Sequence, residues 1–321
     1  MPSGPPSPLE LHWPGKRRQV TVLPRPLRLV ERFGTAEARN QLLLGDNLPH
    51  LAHLRTRLSG QVDLIAIDPP FATGRHFTSE GTGFADDWAD DPASYLQMLY
   101  DRFVLARDLL APTGLIYVHL DYRMSAAVRL LLDEVFGSHR FFNEIIWHYQ
   151  SGGRTRRAFA FKHDTLLVFA RGDRPYFDPD AVRLPRGSAR RNHMKRGTDV
   201  TGRSYSSIRS AGKEYRYYDD EGVPPSDVWS DISHLHQKDP ERVGYPTQKP
   251  VRLLERIVAA SSPPNGLVLD FFCGSGTTAV AAERLGRSWI ACDENPAAIA
   301  IARDRLLAIA SCRPFEILEM P

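Results

Sequence analysis

Two consecutive prolines, Pro69 and Pro70, close the apolar run Val62–Ile67. Proline has no amide hydrogen to offer a neighbouring strand, so a strand built from Val62, Leu64, Ile65 and Ile67 must stop at Asp68. An apolar run of this kind is expected of a strand buried on both faces, as in a parallel sheet covered by helices on either side. That points to an α/β fold. In open parallel sheets ligands bind beyond the carboxyl ends of the strands, so an acid held there by two rigid residues is placed for chemistry. A turn-forming Asp-Pro is the plainer reading of these few residues, and the rest of the chain has to decide between the two.

Further along, the same alternation recurs. QLLLGDNLPHLAHL, from Gln41 to Leu54, reads as a strand closing at Gly45-Asp46 and then a helix. PASYLQMLYDRFVLARDLLAPTG has helical apolar spacing from Tyr95 to Leu110 and stops at Pro112-Thr113-Gly114. Leu115–Asp121 is a buried strand, and MSAAVRLLLDEVFG a helix ended by Gly137. NEIIWHYQ and HDTLLVFARG read as two pairing strands around a polar linker. From Pro175 to about Pro240 periodicity is lost. It returns with a helix over Val251–Ser261, followed by strand, glycine loop, helix, strand and helix. The expected architecture is a doubly wound α/β domain interrupted by a loop-rich insertion.

The insertion is also where charge collects. Between Ser151 and Arg216 there are sixteen Lys and Arg against six Asp and Glu, although the whole chain carries only +3. Phe159, Phe161, Phe169, Tyr176, Tyr205 and Tyr215 are interleaved with them. Cations that neutralise phosphates, mixed with rings that stack on bases, suit a nucleic-acid surface, with a solvated basic face as the alternative. With 42% hydrophobic residues the chain can bury a core, which excludes disordered and fibrous classes. No apolar run is long enough to cross a bilayer and the Pro-rich N-terminus lacks a signal-peptide centre, so a cytoplasmic protein with no membrane association is expected. The three cysteines lack zinc-site spacing, and no metal is expected.

LVLDFFCGSGTTAV sets a buried strand against a Gly-Ser-Gly turn and a helix starting near Thr277. Glycines let the backbone approach a ligand, and the helix start offers free amide hydrogens. The next strand ends at Asp293, where a carboxylate can accept hydrogen bonds from ribose hydroxyls. Gly274, Gly276 and Ala279 also satisfy a dinucleotide pattern, so a nicotinamide cofactor stays open on the loop alone. Asp270, which could receive a cationic amino group, favours S-adenosylmethionine. The nicotinamide reading also leaves Asp68 and the basic segment unexplained.

Three stretches together carry a resemblance: DPPF at Asp68–Phe71, YPTQKPVRLLERIV at Tyr245–Val258, and DFFCGSGTT at Asp270–Thr278. They resemble the signature motifs of the amino-group DNA methyltransferases, which act on adenine N6 or cytosine N4, in the order of the β arrangement. The resemblance spans about Leu42 to Leu307. It implies a Rossmann-like S-adenosylmethionine-dependent methyltransferase fold, circularly permuted, with an inserted target-recognition region. The corresponding division is a flexible lead-in over 1–24, a catalytic half over 25–149, target recognition over 150–244 and a cofactor-binding half over 245–321.

By the same resemblance, Asp270, Phe271, Gly274, Gly276, Thr277 and Thr278 line the methionine and loop side of the cofactor. Asp293 holds the ribose, Asp46 lies near the adenosine end, and Thr247, Gln248 and Lys249 form the element before the flanking helix. For Lys249 a solvated surface lysine is the alternative. Asp68 and the carbonyl of Pro69 accept the two amino hydrogens of a flipped base, Pro70 stiffens the turn and Phe71 stacks on the ring, without a metal or a covalent enzyme intermediate. The family's commonest motif has Tyr where Phe71 stands and Pro where Phe271 stands. Asp rather than Ser at position 68 leans toward adenine. His119, Asp121, Trp88 and Tyr95 read as structural. Arg154, Arg156 and Arg157 are the expected phosphate contacts. Double-stranded DNA is the expected partner; a restriction endonuclease partner, homodimerisation, cytosine N4 as target and a non-catalytic DNA-binding relative stay open.

Overall fold

The computed structural model describes residues 10–35, 37–79, 82–149, 156–185 and 194–320. By its contacts the chain divides into two compact units, a larger one of Met1–Phe177 with Asp227–Pro321 and a smaller one of Asp178–Ser226.

In chain order the larger unit runs β1 (Arg28–Phe33), β2 (Asn40–Leu44), α1 (Asn47–Leu58), β3 (Val62–Ile67), β4 (Arg75–Ser79), β5 (Thr82–Asp86), α2 (Pro92–Leu109), β6 (Leu110–Leu120), α3 (Ser125–Phe136), β7 (Phe141–His148) and β8 (His163–Ala170). The smaller unit contributes β9 (Lys195–Thr198), β10 (Ser204–Ser210) and β11 (Lys213–Tyr218). The larger unit resumes with β12 (Val228–Trp229), α4 (Val251–Ser261), β13 (Leu267–Asp270), α5 (Thr277–Arg284), β14 (Ser288–Asp293), α6 (Pro296–Leu307) and β15 (Phe315–Glu319).

Ten strands form one sheet in the order β1-β15-β2-β14-β13-β3-β6-β8-β7-β12. The six from β15 to β6 are mutually parallel. Successive strand residues face opposite sides, and the core divides accordingly. Leu43, Ile65, Ile67, Ile116 and Val118 pack with α1, α2 and α3. Leu42, Leu64, Ala66, Leu115 and Tyr117 pack with α4, α5 and α6 on the other face. This is why the strands read as nearly continuous apolar runs. The two-sided α/β fold expected from them is present, and its permutation is visible at the centre: β13, from the C-terminal third, pairs with β3 through Val268↔Leu64 and Leu269↔Ile65. The chain departs in opposite directions from that pair, through α5 to β14 and through α2 to β6. Such a reversal opens a crevice at the strand ends.

Several elements differ from the expectation. The paired strands β7 and β8 form as expected, and β8 also pairs with β6, so they extend the main sheet. The stretch beyond them is not irregular throughout, since β9, β10 and β11 make a separate antiparallel sheet. Their side chains are mostly exposed, so no apolar period marks them. The described part of the lead-in is docked rather than free. Leu11, Trp13, Val20 and Val22 pack on the core, Lys16 Nζ lies 2.6 Å from Glu134 Oε1, and Arg17 N donates to Gln97 Oε1 at 2.8 Å. No described helix is long and apolar enough to cross a membrane.

Candidate active site

A cavity of about 570 Å³ opens at the ends of β3 and β13, within the range typical of small-molecule sites. Its walls gather residues from far apart in the chain, including Asp46, Asp68, Phe71, Asp86, His119, Lys249, Asp270 and Asp293. Pro69, Pro70, Thr247, Gln248, Phe271, Gly274, Thr277 and Thr278 line it too.

Asp68 sits one residue beyond β3, as the proline pair dictates. Its Oδ2 accepts a hydrogen bond from Lys249 Nζ. Its Oδ1 is 3.3 Å from His119 Nδ1, close enough for an ion pair but misaligned for a hydrogen bond, so this buried oxygen has no hydrogen-bond partner. Burial works to raise the Asp68 pKa, but the charges of Lys249 and His119, with the Lys249 hydrogen bond, more than offset it and hold the carboxyl at about 2. Lys249 is therefore not a solvated lysine: its side chain is 14% exposed and its ammonium also stands 5.2 Å from the Phe71 ring centroid. The structure puts it on Asp68.

His119, which the sequence analysis reads as structural, belongs to the same cluster. Its ring meets Phe71 edge-on at 5.5 Å and Trp147 at 5.6 Å. Its Nε2 lies 3.1 Å from Asp164 Oδ2, whose other oxygen accepts from Tyr149 OH at 2.9 Å. Burial and Lys249 lower the pKa of His119, while Asp68 and Asp164 outweigh them, leaving it raised. Tyr95 is also drawn in, because its hydroxyl donates to Pro70 O at 2.7 Å. Trp88 lines the cavity and packs edge-on against Tyr95. Asp121 stays structural, accepting from Arg123 N at 2.8 Å.

On the other wall, Asp270 ends β13, accepts from Phe272 N at 3.0 Å and is 5% exposed. Burial pushes its pKa up to about 7 despite the hydrogen bonds from Thr278 and the Phe272 amide. Asp293 ends β14 and accepts from Gly274 N at 2.8 Å and Asn295 N at 2.9 Å. Burial raises it to about 6. Two carboxylates facing one cavity can accept the hydrogen bonds and positive charge of a ligand. This pair of acceptors fits a nucleoside with a cationic amino group.

Asp46 caps α1, accepting from Leu48 N, and lies 2.7 Å from Arg102 Nη2. Gln248 is held from both sides, accepting from Val243 N at 2.9 Å and donating to Glu241 O at 2.8 Å. Thr277 accepts from Arg305 Nη1 at 3.0 Å. Phe271 has its side chain wholly buried. Gly276 lies between lining residues Ser275 and Thr277 but does not itself line the cavity. It adopts φ +75° at the start of α5, and a Cβ there would stand 2.6 Å from Ala302 Cβ, so its glycine serves the close approach of α5 to α6. Ala72 and Thr247, two of the four described non-glycine residues with positive φ, flank the cavity.

Of the expected phosphate contacts, Arg156 and Arg157 are exposed and Arg154 lies outside the described residues. The smaller unit is less basic than the count to Arg216 suggests. Arg196 pairs with Asp219, Arg203 with Asp220 and Glu221, and Arg216 with Glu214. Phe161, one of the rings interleaved with the basic segment, has an exposed partner that no sequence signal marked: Tyr122, just beyond β6, stacks on it at 3.9 Å between centroids and 4° between planes. The Arg123 guanidinium lies 4.8 Å from the Tyr122 ring.

A family model described as DNA methylase matches residues 62–304. The chain belongs to this family. It is therefore an amino-group DNA methyltransferase, of a family that depends on S-adenosylmethionine. Type II methyltransferase M.EcaI of Enterobacter cloacae is 30% identical over 89% of this chain and 75% of the relative. DNA adenine methyltransferase YhdJ of Escherichia coli (strain K12) is 28% identical over 86% of this chain and 84% of its own. Among solved structures, PvuII DNA methyltransferase (cytosine-N4-specific) shares the fold with a TM-score of 0.57 at 19% identity, covering 84% of this chain and 86% of that one. The expected Rossmann-like methyltransferase fold is thereby confirmed.

Proposed function

We propose that this methyltransferase modifies adenine N6 in double-stranded DNA, with Asp68 and Phe71 at the reacting nitrogen. The observation that carries the reading is the buried Oδ1 of Asp68, an ionised acceptor with no hydrogen-bond partner, held at ion-pair distance from His119 in a cavity beside an aromatic ring. Adenine N6 is a weak nucleophile because its lone pair is delocalised into the ring. Asp68 Oδ1 accepts one amino hydrogen and the Pro69 carbonyl the other, which draws the nitrogen toward a tetrahedral shape. Lys249 occupies Oδ2 and so leaves a single oxygen for the base. A base must leave the duplex to reach it, and Phe71 gives it a stacking surface.

S-adenosylmethionine, when bound, supplies an electrophilic methyl group. Asp270 receives the cationic amino group of such a ligand and Asp293 its ribose hydroxyls, with Gly274 offering close backbone approach. Asp46, Thr247, Gln248, Thr277 and Thr278 complete the wall by their positions around the cavity. Outside the cavity, the Tyr122–Phe161 stack with Arg123, Arg156 and Arg157 supports a DNA-facing surface. The segment from 150 to 244 is the proposed target-recognition region.

Asp rather than Ser at position 68 favours adenine, and the adenine-named relative is similar over most of both chains. The experiment is transfer from labelled cofactor to unmethylated genomic DNA, followed by digestion to nucleosides. Label in N6-methyladenine is expected; label in N4-methylcytosine overturns the choice of base, and absence of label from all DNA overturns the reading itself.

A further inference from the structure

Beyond β3 the chain turns through Phe71, Ala72, Thr73 and Gly74 into the β4–β5 hairpin. Ala72 has φ +54°, a left-handed conformation that costs a residue with a Cβ. What holds it there is one carboxylate oxygen. Asp86 Oδ2 accepts from Phe71 N at 3.2 Å, from Thr73 N at 2.9 Å and from Thr73 Oγ1 at 2.8 Å. The Asp86 carbonyl also accepts from Gly74 N at 2.9 Å. Two amides on either side of a left-handed residue, converging on one negative oxygen, form an anion nest whose anion is the protein's own.

A turn needs no such device for stability. Asp86 is 1% exposed and its Oδ1 is buried without a hydrogen-bond partner, an arrangement that costs folding free energy. A serine or asparagine could close a turn without burying a charge. The carboxylate lines the same cavity as Asp68 and grips the backbone of the residue that carries the stacking ring. Tyr95, from α2, secures the preceding carbonyl of Pro70. Between them the two residues fix both ends of the Pro70–Phe71 peptide. Local rules yielding in this way at a cavity wall is what a positioned site looks like.

We propose that Asp86 is a positioning residue for methyl transfer, holding the Asp68–Phe71 turn so that the Phe71 ring and the Pro69 carbonyl meet the target base in register. This rests on the functional reading above. Asp86 touches neither reactant; it acts through the Phe71 and Thr73 amides. Displacement of a reacting group by about 1 Å can cost roughly 100-fold in rate, and a charged acceptor holds amides more firmly than a neutral one.

The test compares turnover at saturating cofactor and genomic DNA, and the dissociation constant for S-adenosylmethionine by calorimetry, for wild type, Asp86→Ala, Asp86→Asn and Thr73→Val. For Asp86→Ala, kcat is expected to fall about 30- to 100-fold while cofactor affinity stays within about twofold. Asp86→Asn, which keeps only a neutral oxygen for the amides, is expected about 3- to 10-fold below wild type, and Thr73→Val, which removes only the hydroxyl donor, within about threefold of it. Wild-type kcat in Asp86→Ala overturns the inference, as does cofactor affinity falling in step with kcat. If Asp86→Ala does not fold, wild-type kcat in Asp86→Asn overturns it equally. If the wild-type protein transfers no methyl group, the functional reading fails first, and that outcome is distinct from an active wild type with an equally active Asp86→Ala.

Discussion

Replacing Asp270 by asparagine should make the free protein more stable at pH 8 while removing its affinity for S-adenosylmethionine. Burial raises the folded-state pKa of this carboxyl from 3.8 to about 7. A shift of about three units corresponds to about 4 kcal/mol of unfavourable ionisation once the pH exceeds both values. Asparagine keeps an oxygen for the Phe272 amide but brings amide hydrogens that need partners. Thr278 can take one; an unsatisfied second returns about 1–3 kcal/mol, leaving a net gain of about 1–3 kcal/mol. For a chain of this size, where 1 kcal/mol is worth about 1.5 °C, that is about 1–5 °C in Tm.

The sign of the pH dependence supplies an internal control. Because the folded value lies above the unfolded one, the folded state holds the extra proton between them. Stability therefore falls as pH rises from 3.8 towards 7 and is level above. At pH 5 only about one unit of the penalty has been incurred, so the gain from asparagine should be less than half that at pH 8. Thermal melts of both proteins at the two pH values, with calorimetric titration of the cofactor at pH 8, measure all three quantities. An equal gain at both pH values, or wild-type cofactor affinity in Asp270→Asn, would refute the argument that this carboxylate is held at a cost for a cationic ligand.

Lys249→Met removes the largest influence holding Asp68 ionised, so burial should lift its pKa and move the acidic limb of kcat, at saturating cofactor and DNA, to higher pH; an unmoved limb refutes the pairing. Tyr122→Ala should weaken DNA binding by about 1–3 kcal/mol, in the range of one lost stacking contact, and leave the salt dependence of binding unchanged. Fluorescence anisotropy over a salt series reads both, and an altered slope with unaltered affinity at low salt counts against stacking. Gly276→Ala forces a Cβ to within 2.6 Å of Ala302, and a loss of about 1–3 kcal/mol in a urea melt, with cofactor affinity retained in the folded protein, is expected of a packing glycine.

Legibility in the sequence followed burial. β3, β6, β13 and β14 lie between two helical layers, so each of their positions is selected for apolarity and the run is visible. β10 and β11 are held by cross-strand pairs such as Tyr205↔Tyr218 and Ile208↔Tyr215 with little beneath them, so no period betrays them. β1 has the same handicap, exposed at all but its last residue. The site divides in the same manner. Asp68, Asp270 and Asp293 announce themselves because each ends an apolar run. Lys249 and Asp68 are 181 residues apart, and nothing local says that they meet. His119 reads as an ordinary strand-end residue until β8 brings Asp164 beside it. Asp86 gives no local signal, because its partners are backbone amides thirteen and fifteen residues upstream.

The pairing of Val268 with Leu64 has a consequence for how the molecule is made. A ribosome adding about 5–20 residues per second needs roughly 10–40 s to travel from one partner to the other. For that interval one edge of β3 has no neighbour, although β6 already covers the other. The waiting edge is apolar and in the middle of the future sheet, where charged side chains cannot guard it. Non-local pairing of this kind folds slowly, so yield in a cell should depend on chaperone capacity and growth temperature more steeply than the stability of the finished protein would suggest.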